Sequence, residues 1–438
     1  MAGGTWTLQN KSRPGAYVNF KAIPNLENVS AARGIVAMPL TLNWGPEAQI
    51  VEIYSTDLAD GGIKKKLGYD ANNSALLQVR ECLKNCYKLL AYRVNTGGDE
   101  ATATLGNLTA TAKYPGTRGN DIKVAIESKT STFDVIVYLD NTVVDKQNVA
   151  AITDLVNNDY VVFSGSGDLA PSAATALAGG TNGTSSAGNY TAFFELLKTQ
   201  EWQVLGLPLD DDDIAAEAVE AIRAMREDLG KKVQAVVYDY AADYEGIIST
   251  KQGYISETDT VSAVDFVAYA AGISAGVDLP NPNTYREIEG AINIVNPMTS
   301  AEVEAALAAG FMAISRRTDG VIVIEQDINT LTSFTADKPK EFRKNRLIRT
   351  LDEIANTITR LFENRFIGKV NNDTTGRELF KQAVTKEISA LQDASAIEGF
   401  SSDDVSVSKG TDDDSVIVAL SIQPVDAMEK LYMTVEVN

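Results

Sequence analysis

Cys82 and Cys86 are the two cysteines of the chain, and they lie four residues apart in a helix-like segment, residues 72–90. Side chains at this spacing share one helix face, where two thiols could bind a metal or act as a redox pair. A zinc site needs four ligands, and the chain has no histidine and no further cysteine to complete one. We therefore favour the interpretation that both thiols are small, buried, apolar side chains.

The absence of histidine from all 438 residues restricts the chemistry further. It excludes a Ser-His-Asp or Cys-His arrangement, a histidine-based metal site, and the usual general acid or base at neutral pH. A hydrolase with a Ser/Lys mechanism stays open as an alternative function, because the chain contains many serines and lysines. No spacing singles out such a pair, and we predict no catalytic residue.

Three short motifs resemble fragments of ligand sites. Asp210–Asp213 offers four carboxylates to calcium or magnesium, but it lacks the spaced ligands, central Gly and distal Glu of an EF-hand. Acids directly before a helical pattern also stabilise the positive helix N-terminus, which is the role we predict. By the same reasoning, Asp412–Asp414 is predicted to be a turn. Residues 164–168, Ser-Gly-Ser-Gly-Asp, lack the Lys of a phosphate-binding loop and are predicted to form a surface turn. We expect no metal and no cofactor.

The charge balance points away from nucleic acid. With 39 basic and 59 acidic residues, the formal net charge is −20, which repels a phosphate backbone. One segment opposes this trend. The basic cluster, as we call it here, consists of Lys340, Arg343, Lys344, Arg346 and Arg349. It is either a solvated helix surface or a patch that contacts an acidic partner, and the sequence leaves both open.

Length and changes in composition predict several domains. Before residue 97 and after residue 183, runs of strand length alternate with helical patterns, as in α/β units. The stretch between them has alternating runs separated by turn residues such as Asp140 and Asn141, which indicates a β-rich insert. Two helices, at about 339–365 and 376–391, and later strands indicate an α+β domain near the end. The predicted organisation is an N-terminal extended arm (1–22), a discontinuous α/β central domain (23–96 and 184–336), an inserted β-rich domain (97–183), an α+β C-terminal domain (337–427) and a C-terminal strand arm (428–438).

Both terminal segments have the pattern of a β-strand. Residues 430–437 alternate apolar and polar side chains, and residues 13–20 combine a Pro-Gly break with residues that favour β structure. Two such segments suggest a protein that adds strands to the sheet of a neighbouring copy, although pairing within the subunit stays open. The residues predicted to make these intersubunit contacts are Tyr17, Val18, Phe20, Leu431, Met433, Val435 and Val437.

Four stretches spread over nearly the whole chain carry a family pattern. They are residues 10–17 (Asn-Lys-Ser-Arg-Pro-Gly-Ala-Tyr), 113–120 (Lys-Tyr-Pro-Gly-Thr-Arg-Gly-Asn), 323–331 (Val-Ile-Glu-Gln-Asp-Ile-Asn-Thr-Leu) and 423–432 (Gln-Pro-Val-Asp-Ala-Met-Glu-Lys-Leu-Tyr). Together, and in this order, they resemble contractile phage tail sheath proteins of the type carried by prophages of Gram-positive bacteria.

This resemblance implies a structural subunit, not an enzyme, that polymerises helically around a tail tube and contracts to drive the tube through a cell envelope. It implies strand exchange through the terminal arms and a central domain of subtilisin-like topology, without catalysis because histidine is missing. In the family the C-terminal domain lies innermost, which makes the basic cluster a candidate for contact with the tube or a neighbour. The implied partners are further copies of the chain, the tail tube protein, and baseplate and tail terminator proteins.

A surface adhesion module is a third alternative, suggested by the β-rich insert. Adhesins are exported, whereas residues 1–6 lack the basic and apolar blocks of a secretory signal. The longest apolar stretch, residues 261–277, is interrupted by Asp265, so we expect no membrane insertion. We expect assembly in the host bacterial cytoplasm and a place in the virion as its tail sheath.

Overall fold

The computed structural model describes residues 2–4, 15–17 and 34–436. Two units are distinguished, residues 1–31 and 32–438. In the first unit, β1 (Ala2–Gly4) and β2 (Gly15–Tyr17) form a parallel pair, with Ala2 opposite Gly15 and Gly4 opposite Tyr17. All elements described below belong to the second unit.

The second unit begins with strands and short helices. These elements are β3 (Ile35–Leu40), β4 (Ile50–Tyr54), α1 (Ser55–Asp60), α2 (Gly62–Leu67), α3 (Leu77–Leu83) and β5 (Lys88–Arg93). The helix predicted over residues 72–90 was too long, because only a 3₁₀ turn (Ser74–Leu76) and α3 are helical there. The reason is sheet pairing: Lys88 already lies opposite Ile35 in the parallel β3–β5 ladder.

A sandwich of two antiparallel sheets follows. Its strands are β6 (Thr102–Leu105), β7 (Leu108–Ala112), β8 (Ile122–Ser128), β9 (Phe133–Leu139), β10 (Thr142–Val149), β11 (Val161–Gly165) and β12 (Ser172–Ala176). One sheet has the order β10-β9-β8-β12 and the other β11-β7-β6. The predicted turn at Asp140 and Asn141 is confirmed, with φ angles of +54° and +62° in the β9–β10 hairpin, as expected for a tight two-residue hairpin loop.

The chain then returns to alternating helices and strands. They are α4 (Ala187–Leu197), β13 (Val204–Leu207), α5 (Asp212–Glu227), β14 (Gln234–Tyr238), β15 (Ile247–Thr250), β16 (Gly253–Ile255), β17 (Thr260–Val261), α6 (Phe266–Gly276), β18 (Asn293–Val295), α7 (Ser300–Ala308), β19 (Phe311–Met312), β20 (Ile314–Arg316) and β21 (Ile322–Ile324).

Strands from both sides of the sandwich form one seven-stranded sheet of order β19-β15-β14-β13-β3-β5-β4. The sheet is parallel except for β4, which runs antiparallel to β5. Alternate residues of β3 enter different cores: Val36 and Met38 pack with α3 and α6, whereas Ile35 and Ala37 pack with α4 and α5. Helices therefore cover both faces, as a parallel sheet requires.

The last region contains two long helices and short strands. A 3₁₀ turn (Lys340–Arg343) precedes α8 (Asn345–Arg365), α9 (Thr374–Asp393), β22 (Ile397–Glu398), β23 (Val405–Lys409), β24 (Val416–Leu420) and β25 (Gln423–Pro424). Its core is centred on Phe380, which packs on the rings of Phe362 and Phe366. Residues 430–436, which the alternating pattern predicts to be a strand, belong to no helix or strand of the described chain. No helix among the described residues is long and apolar enough to cross a membrane.

Candidate assembly surfaces

The cysteines occupy a purely structural position. Cys82 and Cys86 are both buried in the core beneath α6, with their sulfur atoms 3.6 Å apart. Burial raises the pKa of the Cys82 thiol well above its usual value, so it stays protonated. The apolar interpretation is confirmed, and within residues 34–436 no group of three or more Cys, Asp or Glu side chains is arranged to hold a metal ion.

The acidic motifs shape the backbone. Asp211 is the N-cap of α5, and its Oδ1 accepts hydrogen bonds from the backbone N–H groups of Asp213 (3.1 Å) and Ile214 (3.0 Å). The predicted role at the helix start is thus confirmed. Asp412 lies in the turn between β23 and β24, as predicted, and its backbone carbonyl accepts the N–H of Ser415. Gly165 ends β11 against the backbone of Asn107 and no helix follows directly, so this motif does not have the form of a phosphate-binding loop.

The basic cluster does not form one exposed patch. Lys340 is exposed and Arg343 half-buried, while Arg346 and Arg349 are buried. Arg349 donates to Asp327, and Lys344 lies between the carboxylates of two residues in the C-terminal segment. The physical reason is that the first turns of α8 pack into the subunit, so the side chains of Arg346 and Arg349 are buried there, and Arg349 forms an internal ion pair.

Helix α8 is joined to the central sheet by polar side chains. Arg226 on α5 makes a two-pronged hydrogen bond to Asp352, with Nη1–Oδ2 and Nη2–Oδ1 distances of 2.6 and 2.8 Å. Asn356 bonds both the N–H and the C=O of Lys232, just before β14. These residues were not predicted from the sequence. The residues around a single Asp or Asn on a helix do not indicate that its side chain contacts a segment far away in the chain.

The C-terminal segment, residues 425–436, forms no helix or strand within the described chain. Its start is held by pairing of β25 with β22 and by the Val425 N–H, which donates to the carbonyl of Ala396. Beyond residue 429 every described residue is exposed. Leu431, Met433 and Val435 are 85%, 74% and 69% exposed, which is unusual for three apolar side chains in one short stretch. Of the predicted contact residues, Val437 lies outside the described residues.

The predicted contact residues of the N-terminal segment are only partly described. Tyr17 is the last residue of β2. Val18 and Phe20 lie outside the described residues. Their contacts with a neighbouring copy stay a prediction.

Comparison with known families accounts for almost the whole chain. Four family models match in succession: the N-terminal region of tail sheath protein Gp18 domain III (33–94), the phage tail sheath beta-sandwich domain (96–182), the phage tail sheath central domain (183–330) and the phage tail sheath C-terminal domain (337–438). The phage-like element PBSX protein XkdK of Bacillus subtilis is 34% identical over the full length of both chains. The chain belongs to the phage tail sheath protein family.

Other sheath proteins support this assignment. The tail sheath protein of Clostridium phage phiCD119 is 26% identical over 47% of this chain and 57% of its own. The crystal structure of a sheath tail protein from Desulfitobacterium hafniense superposes with a TM-score of 0.83 and 38% identity, covering 96% of this chain and 99% of that one. The Listeria innocua sheath tail protein gives 0.81 and 33%, covering 93% and 95%.

Family membership decides the class of function. Tail sheath proteins are structural, so this sheath protein is a structural subunit and not an enzyme. The hydrolase alternative is therefore excluded. The helical sheath of the anti-feeding prophage, solved in its contracted state, shares the fold with a TM-score of 0.57 at 13% identity, covering 98% of this chain and 100% of that one.

Proposed function

We propose that this sheath protein polymerises helically around a tail tube and contracts to drive the tube through a cell envelope. The observation that carries the proposal is the match to sheath proteins along the full chain, together with a fold shared with a sheath that contracts. Contraction of this kind needs no bound nucleotide, since a change of packing between subunits can release stored free energy. Contacts that do not close on themselves produce an open helical assembly.

The terminal arms, residues 1–22 and 428–438, link the subunits in this proposal. The exposed apolar residues Leu431, Met433 and Val435 support it, because an unpaired extended segment with such side chains is stabilised by adding to a sheet edge. The two-stranded β23–β24 sheet of the C-terminal region offers such edges, since neither strand has a second partner in the described chain. Tyr17, Val18, Phe20 and Val437 complete the proposed contact set.

The central sheet, of subtilisin-like topology in this proposal, carries the sandwich outward and the C-terminal domain inward towards the tube. Of the basic cluster, Lys340 is the exposed member and the first candidate for contact with the tube, with half-buried Arg343 beside it. Baseplate and terminator proteins cap the two ends of the tail. The proposed domain boundaries are those predicted from the sequence, from the N-terminal extended arm (1–22) to the C-terminal strand arm (428–438).

Electron microscopy of the purified chain with its tube protein tests the arm linkage. The full chain is compared with chains lacking residues 1–20 or 430–438, and with the triple variant Leu431→Ser/Met433→Ser/Val435→Ser, which keeps the chain length. Val156→Ser is the matched control, because it removes an equally exposed apolar side chain (70% exposed) from the sandwich.

We expect tubes or rings from the full chain and from Val156→Ser, and dispersed subunits from both truncations and from the triple variant. Tubes of normal length from the truncated chains would remove the arms from the mechanism. Dispersed subunits from every sample, even with tube protein, would overturn helical self-assembly of this chain.

A further inference from the structure

Lys344 lies between two carboxylates at the root of the C-terminal segment. Its Nζ is 2.5 Å from Asp426 Oδ2 and 3.2 Å from Glu429 Oε2. Although burial lowers the pKa of the Lys344 ammonium group, the two carboxylates raise it overall. The other oxygen of Glu429 accepts a hydrogen bond from Thr284 Oγ1 at 3.1 Å. We call these four residues the Lys344 clamp.

Solvent exposure changes abruptly at the clamp. From Val425 to Glu429, every second residue is half-buried, with Asp426 and Met428 facing solvent. The segment here forms one wall of a groove of about 770 Å³, whose other walls include the end of α7 and the 3₁₀ turn before α8. From Lys430 onward all described residues are exposed. Glu429, whose side chain is 13% exposed, is therefore the last described residue that is held against the subunit.

The clamp is attached to the buried interior. Thr284 Oγ1, which donates to Glu429, also accepts the backbone N–H of Asp327 at 3.0 Å. Asp327 in turn pairs with Arg349 on α8. An ion pair that is partly shielded and fixed by such neighbours is worth more than one between two mobile surface side chains.

We propose that the Lys344 clamp determines where the C-terminal segment leaves the subunit, and that it thereby presents residues 430–436 to a second copy of the chain. Without the clamp, the free length of the segment grows by the residues back to β25, and the segment samples many more directions. Ordering it on a neighbour then costs more conformational entropy. The presentation step rests on the arm linkage proposed above, whereas the exit point does not.

A nitroxide spin label attached to the full chain at Leu431→Cys, two residues beyond the clamp, tests the exit point. Its spectrum reports how mobile the segment is at this position. The native cysteines are 0% and 6% exposed and should not react, which the unsubstituted chain treated with the label verifies. The label is compared in five backgrounds: parent, Lys344→Glu, Lys344→Met, the charge swap Lys344→Glu/Asp426→Lys/Glu429→Lys, and Lys386→Glu. The last is the matched control, because Lys386 is an exposed lysine on α9 that lies outside the clamp and does not line the groove beside it.

We expect a slow-motion component in the parent and in Lys386→Glu, its loss in Lys344→Glu, and its return in the charge swap. Lys344→Met, which removes the charge without adding repulsion, should also lose it, and unchanged thermal melts verify that the variants fold. Equal mobility in the parent and in both single Lys344 variants would overturn the clamp, as would a swap that restores nothing.

The assembly assay on the unlabelled variants tests presentation separately. We expect Lys344→Glu to raise the subunit concentration needed for tubes several-fold and the swap to reverse this. If the mobility of the label changes in Lys344→Glu but assembly does not, the clamp still determines where the segment leaves the subunit. The proposal that it presents residues 430–436 to a second copy is then overturned. If chains lacking residues 430–438 still assemble, the arm linkage fails while the mobility result is unaffected.

Discussion

Arg349 donates a hydrogen bond from Nη2 to Asp327 Oδ2 at 2.8 Å, and the two side chains are only 3% and 1% exposed. Asp327 also accepts the backbone N–H of Asn283 and the side-chain amide of Asn345, at 2.9 Å each. The pair joins the segment after β21 to the first turns of α8. Arg349, which the sequence left either on a solvated helix surface or in a contact patch, is therefore part of the interior.

The first prediction concerns the pH dependence of stability. Burial alone raises the pKa of Asp327, but Arg349 and the N–H donors lower it below its usual value overall. In the unfolded chain it titrates at about 3.9. Because the folded pKa is the lower one, this stabilisation is complete above the unfolded pKa and is lost as pH falls towards the folded pKa.

We expect Asp327→Asn to lower the melting temperature at pH 7 and to flatten the fall of melting temperature below about pH 4. Scanning calorimetry between pH 3 and pH 7 measures both effects. Asp393→Asn, at an exposed position on α9, is the control and should follow the parent. Parallel curves for the parent and Asp327→Asn would contradict the prediction.

The second prediction concerns the ion pair between Arg226 and Asp352. Arg226→Met leaves the Asp352 carboxylate buried without its partner, which should cost about 3–5 kcal/mol. Replacing both, as in Arg226→Met/Asp352→Leu, removes the stranded charge and should recover most of this loss. Denaturant unfolding of the four chains of the cycle gives the coupling free energy. A double variant that is no better than the worse single variant would argue against this account.

The third prediction uses two helical glycines with opposite surroundings. A Cβ at Gly272 on α6 would lie 2.3 Å from the carbonyl oxygen of Cys82, so Gly272→Ala must separate α6 from α3 and should destabilise by about 1–3 kcal/mol. At Gly188 on α4 the nearest atom is 3.8 Å away, so Gly188→Ala should be neutral or stabilise by up to about 1 kcal/mol. Thermal melts of both chains test the contrast, and equal shifts would refute it.

The fourth prediction concerns the start of α5. Asp211→Ala removes both cap hydrogen bonds and should cost about 1 kcal/mol. Asp210→Ala removes an adjacent exposed carboxylate that makes no cap hydrogen bond, and it should have a much smaller effect. Denaturant unfolding compares the two. Equal losses would mean that the general negative charge, rather than the cap geometry, stabilises the helix.

Much of the local structure could be predicted from the sequence. The sandwich follows from alternating runs and from turn residues such as Asp140 and Asn141, which tolerate positive φ. The parallel strands β3 and β5 are continuous apolar runs, as expected for a sheet covered on both faces. The errors fall at element ends, as at Lys88, where pairing with a distant strand overrides helical periodicity.

The assembly surfaces were predicted less completely. The alternation over residues 431–435 predicts an apolar face, because a strand repeats every two residues, and in the described chain these residues are exposed and belong to no strand. The sequence shows the basic cluster only as several cations close together in the chain. Their number does not indicate which of these side chains are buried in the fold. The carboxylates that hold Lys344 and Arg349 lie 82 and 22 residues away, so no local window contains both partners and their spacing carries no signal.

By itself, the sequence determined the class of protein, much of the order of helices and strands, and the exclusion of histidine chemistry. The class of protein follows from the resemblance of four stretches to a known family, whereas the other two properties follow from residue types and from periodicities within single elements. Only the tertiary structure decided which charges are paired in the interior, where α8 joins the central sheet and where the C-terminal segment leaves the subunit. The physical reason is that an ion pair forms between any two side chains that the fold brings together, as Arg226 and Asp352 do across 126 residues.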